Sequence, residues 1–336
     1  METNKRLTLL ILAVVIVVLG AAFVLWLRAA NSSFRKVEPI TIGTGANAGD
    51  TLIFIADEQK YFTDNGLNVT LKTYVNGLAA TDGMLGGEAD LAYSTEFITV
   101  GKALQKTAIS IVTTYSKAEA VAVVGLKERG IENISDLKGK KIGFEPGTIM
   151  EFYLGRLLML NGLNLRDVTL VDIQPMDAGD SLSSGKIDAA IASSRYLHLV
   201  IQQLGSGLFV WPAHSHQPAY GTLVGKSDWV THHPELVKRL LKSLSEAEQY
   251  VSRNPEKAKA VVQKKLNFDD KYMAEVWLGY QFSLSLDQSL ILAMEDEARW
   301  MIKNKLTTER RIPDFSDYIY LDGLKAVKPE AVNIIR

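Results

Sequence analysis

Residues 40–54, ITIGTGANAGDTLIF, and residues 141–158, KIGFEPGTIMEFYLGRLL, decide the fold. Each opens as a short apolar strand with an Ile-Gly pair, crosses a glycine-containing loop and enters a helical apolar pattern. Ile42-Gly43 and Ile142-Gly143 lie 100 residues apart. Gly87-Glu88-Ala89-Asp90-Leu91-Ala92 recurs as Gly185-Lys186-Ile187-Asp188-Ala189-Ala190, 98 residues on. In both copies a helix stops at glycine and a strand starts near aspartate, which is ordinary turn chemistry. Two matches in the same order at nearly the same offset imply two α/β lobes of similar build.

The same alternation continues outward, from Glu38 to about Trp211. LNVTLKTYV, ADLAYS, AISIVTTY and AVAVVGL read as strands, and LAATDGML and FITVGKAL as helices. Short strands alternating with helices predict mostly parallel sheets covered on both faces. After about Lys226 the strand pattern stops. Pro234–Asn254, Pro255–Leu266, Asp269–Ser285 and Asp287–Asn304 then read as helices, with Pro near two of the starts. Tyr272, Val276 and Tyr280 fall at i, i+4 and i+8, a face that reads as packing.

Composition narrows the function. Of 336 residues, 37 are Lys or Arg and 38 are Asp or Glu, a formal net charge of -1. Nucleic-acid binding, which needs a concentrated basic surface, is disfavoured. A hydrophobic fraction of 47% supplies ample core. The absence of cysteine excludes disulfides, thiol chemistry and a cysteine-borne lipid.

At the N-terminus, Leu7–Leu27 is an uncharged apolar run long enough to cross roughly 30 Å of hydrocarbon. It reads as an uncleaved membrane anchor. A secretory signal cut near Ala22 is the alternative, and it would leave the apolar FVLWL at the new terminus. Both readings export the remainder of the chain. Residues 1–30 are thus the anchor or signal, and 31–37 a short linker.

Several motifs fail on inspection. Gly43-Thr-Gly45-Ala-Asn-Ala-Gly49 has a last gap one residue too long for a dinucleotide fingerprint, and the next strand lacks the acid a ribose needs. Gly221-Thr-Leu-Val-Gly225-Lys226-Ser227 is one residue short of a phosphate loop. His214, His216, His232 and His233 have no accompanying ligand pattern for zinc. No nucleophile elbow occurs, and no cofactor is expected. What recurs is a polar cluster where each strand hands over to its helix: Thr44 and Asn47; Ser94, Thr95 and Glu96; Glu145, Gly147 and Thr148; Ser193, Ser194 and Arg195. Ligands of α/β sheets collect at such strand ends, beside helix N-termini. N-capping accounts for a single hydroxyl there, less easily for adjacent pairs or for Arg195. Glu96 and Arg195, placed at corresponding positions of the repeat, are expected to face one cleft from opposite sides and to suit a ligand with a donor or cationic end and an acceptor or anionic end.

At these residues the chain resembles the solute-binding proteins of ABC importers, with the two-lobed type II periplasmic-binding fold. The resemblance lies with the branch serving sulfonates, taurine, nitrate and thiamine-pyrimidine precursors. ITIGTGANAGDTLIFIADEQKYFTDNGLNV, MLGGEADLAYS, ISDLKGKKIGFEPGT and LSSGKIDAAIAS carry it, and it spans about Glu38–Asn304. It implies a first lobe of residues 38–116 and 215–336 and a second of residues 117–214. Crossovers near Ser116–Ala120 and Trp211–Tyr220 act as hinges, with Tyr220 added to the ligand-binding candidates. The implied function is extracytoplasmic capture of a small polar organic solute, by a membrane-tethered monomer that delivers it to a permease with its ATPase subunits. Glu96 sits where anion-binding members commonly carry a neutral residue. An enzyme on the same fold and a sensory ectodomain are the alternatives, and the former would need an acid or base deep in the pocket.

Overall fold

The structure, a computed structural model, describes residues 37–119, 121–213 and 217–335. The expected anchor over residues 7–27, all of the linker except Val37, and His214 and His216 lie outside the described residues. Among the described residues no helix is long and apolar enough to cross a membrane.

Eleven strands are described: β1 (Glu38–Thr44), β2 (Leu67–Thr73), β3 (Leu91–Thr95), β4 (Ile109–Ala118), β5 (Val121–Leu126), β6 (Lys141–Phe144), β7 (Thr169–Asp172), β8 (Ala189–Ser193), β9 (Leu208–Pro212), β10 (Ala219–Lys226) and β11 (Tyr280–Gln281). They form two sheets. One has six strands in the order β11-β4-β10-β3-β1-β2, the other five in the order β7-β6-β8-β5-β9. The chain leaves the first sheet after β4 and returns to it through β10.

The repeated glycine and aspartate have the same job in each sheet. Gly87 and Gly185 take φ of +87° and +73°, a left-handed turn that a side chain would strain. Asp90 Oδ2 then accepts the Thr41 N–H at 2.7 Å, and Asp188 Oδ2 accepts the Lys141 N–H at 2.9 Å. Each aspartate thereby fixes the register of a parallel pair, Ile42 against Leu91 in one lobe and Ile142 against Ala189 in the other.

The sheets are mixed rather than mostly parallel. β10 runs antiparallel to both β3 and β4, and β5 antiparallel to both β8 and β9. The physical reason is the crossover. A strand that enters a lobe from the hinge side must run against strands whose carboxyl ends point toward that side. Gly221–Lys226 accordingly belongs to a paired strand, not a phosphate loop.

Helices cover the sheets. Thr51–Glu58, Gly77–Leu85 and Glu96–Leu104 follow strands of the first, and Ile149–Leu160, Ala178–Ser183 and Ser194–Leu204 follow strands of the second. Ile42, Leu52, Ile55, Leu91 and Phe97 are fully buried in the first lobe, as are Val123, Ile142, Leu154 and Ala189 in the second. Each large apolar side chain buried this way contributes about 1.5–3 kcal/mol. Beyond Lys226 the α-helices are Ser227–His232, Pro234–Arg253, Pro255–Leu266, Asp270–Leu278, Gln288–Lys303 and Leu321–Val327. Strand pairing does not stop there, however. The helix expected to reach Ser285 ends at Leu278, and Tyr280 enters β11 opposite Ala118.

Candidate functional site

The loop after β1 is built to bring backbone close to one spot. Asn47 Oδ1 accepts the Gly49 N–H at 2.7 Å, and Asp50 Oδ2 accepts the Gly45 N–H at 2.9 Å. Asp50 Oδ1 accepts the Tyr115 hydroxyl at 2.9 Å. Asp50 is fully buried, and that burial pushes its carboxyl up to about 7 against the pull of these hydrogen bonds. Ala46 sits at φ +50°, an uncommon backbone for a side chain, and its carbonyl accepts Arg195 Nη1 at 3.0 Å.

Above that loop lies a cavity of about 140 Å³ at the carboxyl ends of the strands of both lobes. Its size is comparable to the roughly 150 Å³ that takes one benzene. Four of its lining residues are α-helix N-caps: Asn76 and Thr95 from the first lobe, Thr148 and Ser193 from the second. Four helix starts therefore converge on the cavity, and the positive ends of their dipoles favour an acceptor atom on a ligand. Thr95 is 8% exposed and its hydroxyl oxygen has no hydrogen-bond partner, which a bound molecule would supply.

Direct hydrogen bonds join the two lobes around the cavity. Asn76 Nδ2 donates to Glu145 Oε1 at 2.5 Å, and Tyr196 OH to the Val75 carbonyl at 3.3 Å. Ser194 Oγ and Tyr272 OH lie 3.2 Å apart, and His198 Nε2 lies 2.7 Å from Asp269 Oδ2. These reach from the Ser194–Leu204 helix to the Asp270–Leu278 helix and its N-cap Asp269. Burial raises the Tyr272 hydroxyl to about 12 and pushes those of Tyr93 and Tyr280 up as well, so all three remain protonated donors.

Of the sequence candidates, Asn47, Thr95, Glu145, Thr148, Ser193, Ser194 and Arg195 line this one cavity. Five do not. Thr44 is buried below a neighbouring groove, and Ser94 bonds Thr81 Oγ1 at 2.9 Å within the first lobe. Gly147, at φ +72°, donates its N–H to Glu151 Oε2. Tyr220 is buried and donates its backbone N–H to Glu96 Oε2 at 2.9 Å.

Glu96 lies outside this lining. It is fully buried next to the equally buried Glu297, and burial pushes its carboxyl up to about 8. The offset of 98 residues set by Asp90 and Asp188 pairs Glu96 with Ser194, not with Arg195. The expected pairing was one residue out, and Ser194 lines the cavity while its counterpart Glu96 does not, so the repeat alone does not decide which side chain enters.

Sequence reasoning missed Asn76, Tyr93, Tyr196, Tyr272 and Tyr280, all in the lining. Asn76 carried a readable signal, an Asn one glycine ahead of the predicted helix Leu78–Leu85. Tyr272 and Tyr280 carried none, since a tyrosine at helical spacing reads as packing.

The family model described as NMT1/THI5 like matches residues 47–258. A Brucella abortus (strain 2308) protein named as a binding protein is 25% identical over 238 residues, 69% of this chain and 72% of its own. A Saccharomyces cerevisiae protein, 4-amino-5-hydroxymethyl-2-methylpyrimidine phosphate synthase THI13, is 24% identical over 227 residues, 61% of this chain and 64% of its own. Among solved structures, the alkanesulfonate-binding protein SsuA from Xanthomonas axonopodis pv. citri, bound to MOPS, superposes with a TM-score of 0.73 at 16% identity, over 85% of this chain and 99% of that one. The superposition shows the fold: a two-lobed periplasmic-binding-protein fold with mixed α/β sheets.

Proposed function

Because the chain belongs to the NMT1/THI5-like family, we propose that it is an extracytoplasmic solute-binding protein of an ABC importer. It captures a small polar organic solute in the cleft between residues 38–116 with 215–336 and residues 117–214. Closure about the two crossovers presents the complex to a permease and its ATPase subunits. The observation that carries this reading is the convergence of four N-caps, two from each lobe, on one cavity. A ligand touching both lobes stabilises the closed form by as much as its contacts differ between closed and open states. The binding-protein names of the Brucella relative and of the alkanesulfonate-binding structure support the same reading.

The second crossover is held at both sides. Tyr153 OH donates to the Gln217 carbonyl at 2.8 Å, and Arg156 Nη1 to Gln217 Oε1 at 2.6 Å. Glu96, excluded from the cleft, takes the Tyr220 N–H of the same segment. We assign it to the hinge.

A thermal-shift screen of residues 31–336 against sulfonates, aminosulfonates, pyrimidines and nitrate tests the proposal. A ligand at 100 times its dissociation constant raises stability by about 2.7 kcal/mol. A binding protein returns that ligand unchanged after incubation. Conversion of the ligand would instead support an enzyme, as the synthase name of the yeast relative suggests.

A further inference from the structure

The cavity presents two opposed electrostatic demands. Four helix starts favour an acceptor or anion, yet its lining includes a carboxylate, Glu145. The other charged residue among the described lining is Arg195. Its guanidinium donates to the Ala46 carbonyl and lies 5.8 Å from the ring centres of both Tyr196 and Phe268.

Glu145 is held at one oxygen only. Asn76 Oδ1 accepts the Ala79 N–H at 2.8 Å, which fixes the amide so that Nδ2 faces Glu145 Oε1. Burial and the nearby charge of Asp172 push the Glu145 carboxyl up, so its negative charge is poorly solvated without a donor. Tyr93, Tyr196, Tyr272 and Tyr280 line the same space, and aromatic walls beside a carboxylate favour nitrogen cations and amino groups.

Resting on the solute-binding reading above, we infer that Glu145 is the specificity-determining residue of the cleft. It receives a nitrogen donor, an ammonium or a ring amino group, on a ligand whose acceptor end lies at the helix starts. Simple anions are then disfavoured at the Glu145 end, where they would meet the carboxylate with nothing to offer it. The donor-and-acceptor ligand expected from sequence is retained, with Glu145 in the place assigned to Glu96.

Two matched pairs of probes isolate the nitrogen: taurine against ethanesulfonate, and 4-aminopyrimidine against pyrimidine, with nitrate as the bare anion. In calorimetric titrations the amino member of at least one pair binds about tenfold or more tighter, the worth of one charge-assisted hydrogen bond. In Glu145→Gln, which keeps an acceptor for Asn76 but offers a donor to the ligand, that preference disappears. The wild-type comparison stands even if the variant fails to fold. Equal binding within both pairs, or tightest binding by ethanesulfonate or nitrate, overturns the role of Glu145 and leaves solute binding intact. Binding of no probe at all overturns both.

Discussion

A Cβ placed on Gly45 would lie 2.6 Å from both Asn47 Nδ2 and Tyr93 Cδ1, two groups that line the cavity. Gly45→Ala must displace one of them, so it should lose about 1–3 kcal/mol of stability, as overpacking does, and weaken any ligand found. Urea unfolding and calorimetry on the same sample measure both. Glu96 gives a prediction of a different kind. Its carboxyl is raised to about 8 from the ordinary 4.5, so between those values the native state holds more protons than the unfolded chain. Stability therefore falls as pH rises through that window. Asp50, raised to about 7 from 3.8, adds a fall of the same sign between its own two values. Scanning calorimetry should show a melting temperature declining from about pH 5 to pH 8, with a shallower decline in Glu96→Gln. Because Glu96 is outside the cavity, the same variant should change ligand affinity by less than about twofold. A steeper loss of affinity would return Glu96 to the binding site. At this scale the sequence showed which short segments line the cavity, because strand-to-helix junctions are readable. It did not show which side chain of a junction turns inward, since a one-residue phase at a helix start has no compositional mark.

Among elements, the two β–α–β repeats were the most legible part of the fold. Gly87 with Asp90, and Gly185 with Asp188, are local turn devices, and local devices leave local signatures. In each copy the aspartate backbone N–H also donates across the pair, to the Thr41 carbonyl at 2.9 Å and the Lys141 carbonyl at 2.8 Å. Asp90→Ala and Asp188→Ala should each cost about 1 kcal/mol, the worth of the side-chain bond lost, and by similar amounts because the geometry is repeated. Chemical denaturation of the two variants checks this, and a large cost in only one would break the equivalence of the lobes. Strand β11 was illegible for the opposite reason. Its two residues owe their conformation to pairing with β4, far earlier in the chain, and nothing in Tyr280-Gln281 marks a strand. The helix expected there ends early, and with it Tyr280 moves from a packing face to the cavity wall. The antiparallel runs of β5 and β10 were equally hidden, since strand direction follows from crossovers and not from residue type.

For the whole molecule, the described part is a pair of lobes hydrogen-bonded across a cleft, and the expected anchor lies outside it. If Leu7–Leu27 is retained in the membrane, N-terminal sequencing of the native protein should read from the start of the chain. A mature chain beginning at Phe23 would show a cleaved signal instead. The central claim is that a small solute is held between the lobes and closes them. Small-angle scattering on residues 31–336, with and without a saturating ligand from the screen, tests it most directly. The account predicts a smaller radius of gyration in the bound state with an unchanged far-ultraviolet circular dichroism spectrum. An unchanged radius at proven saturation would contradict it, and would mean that the cleft is a rigid pocket.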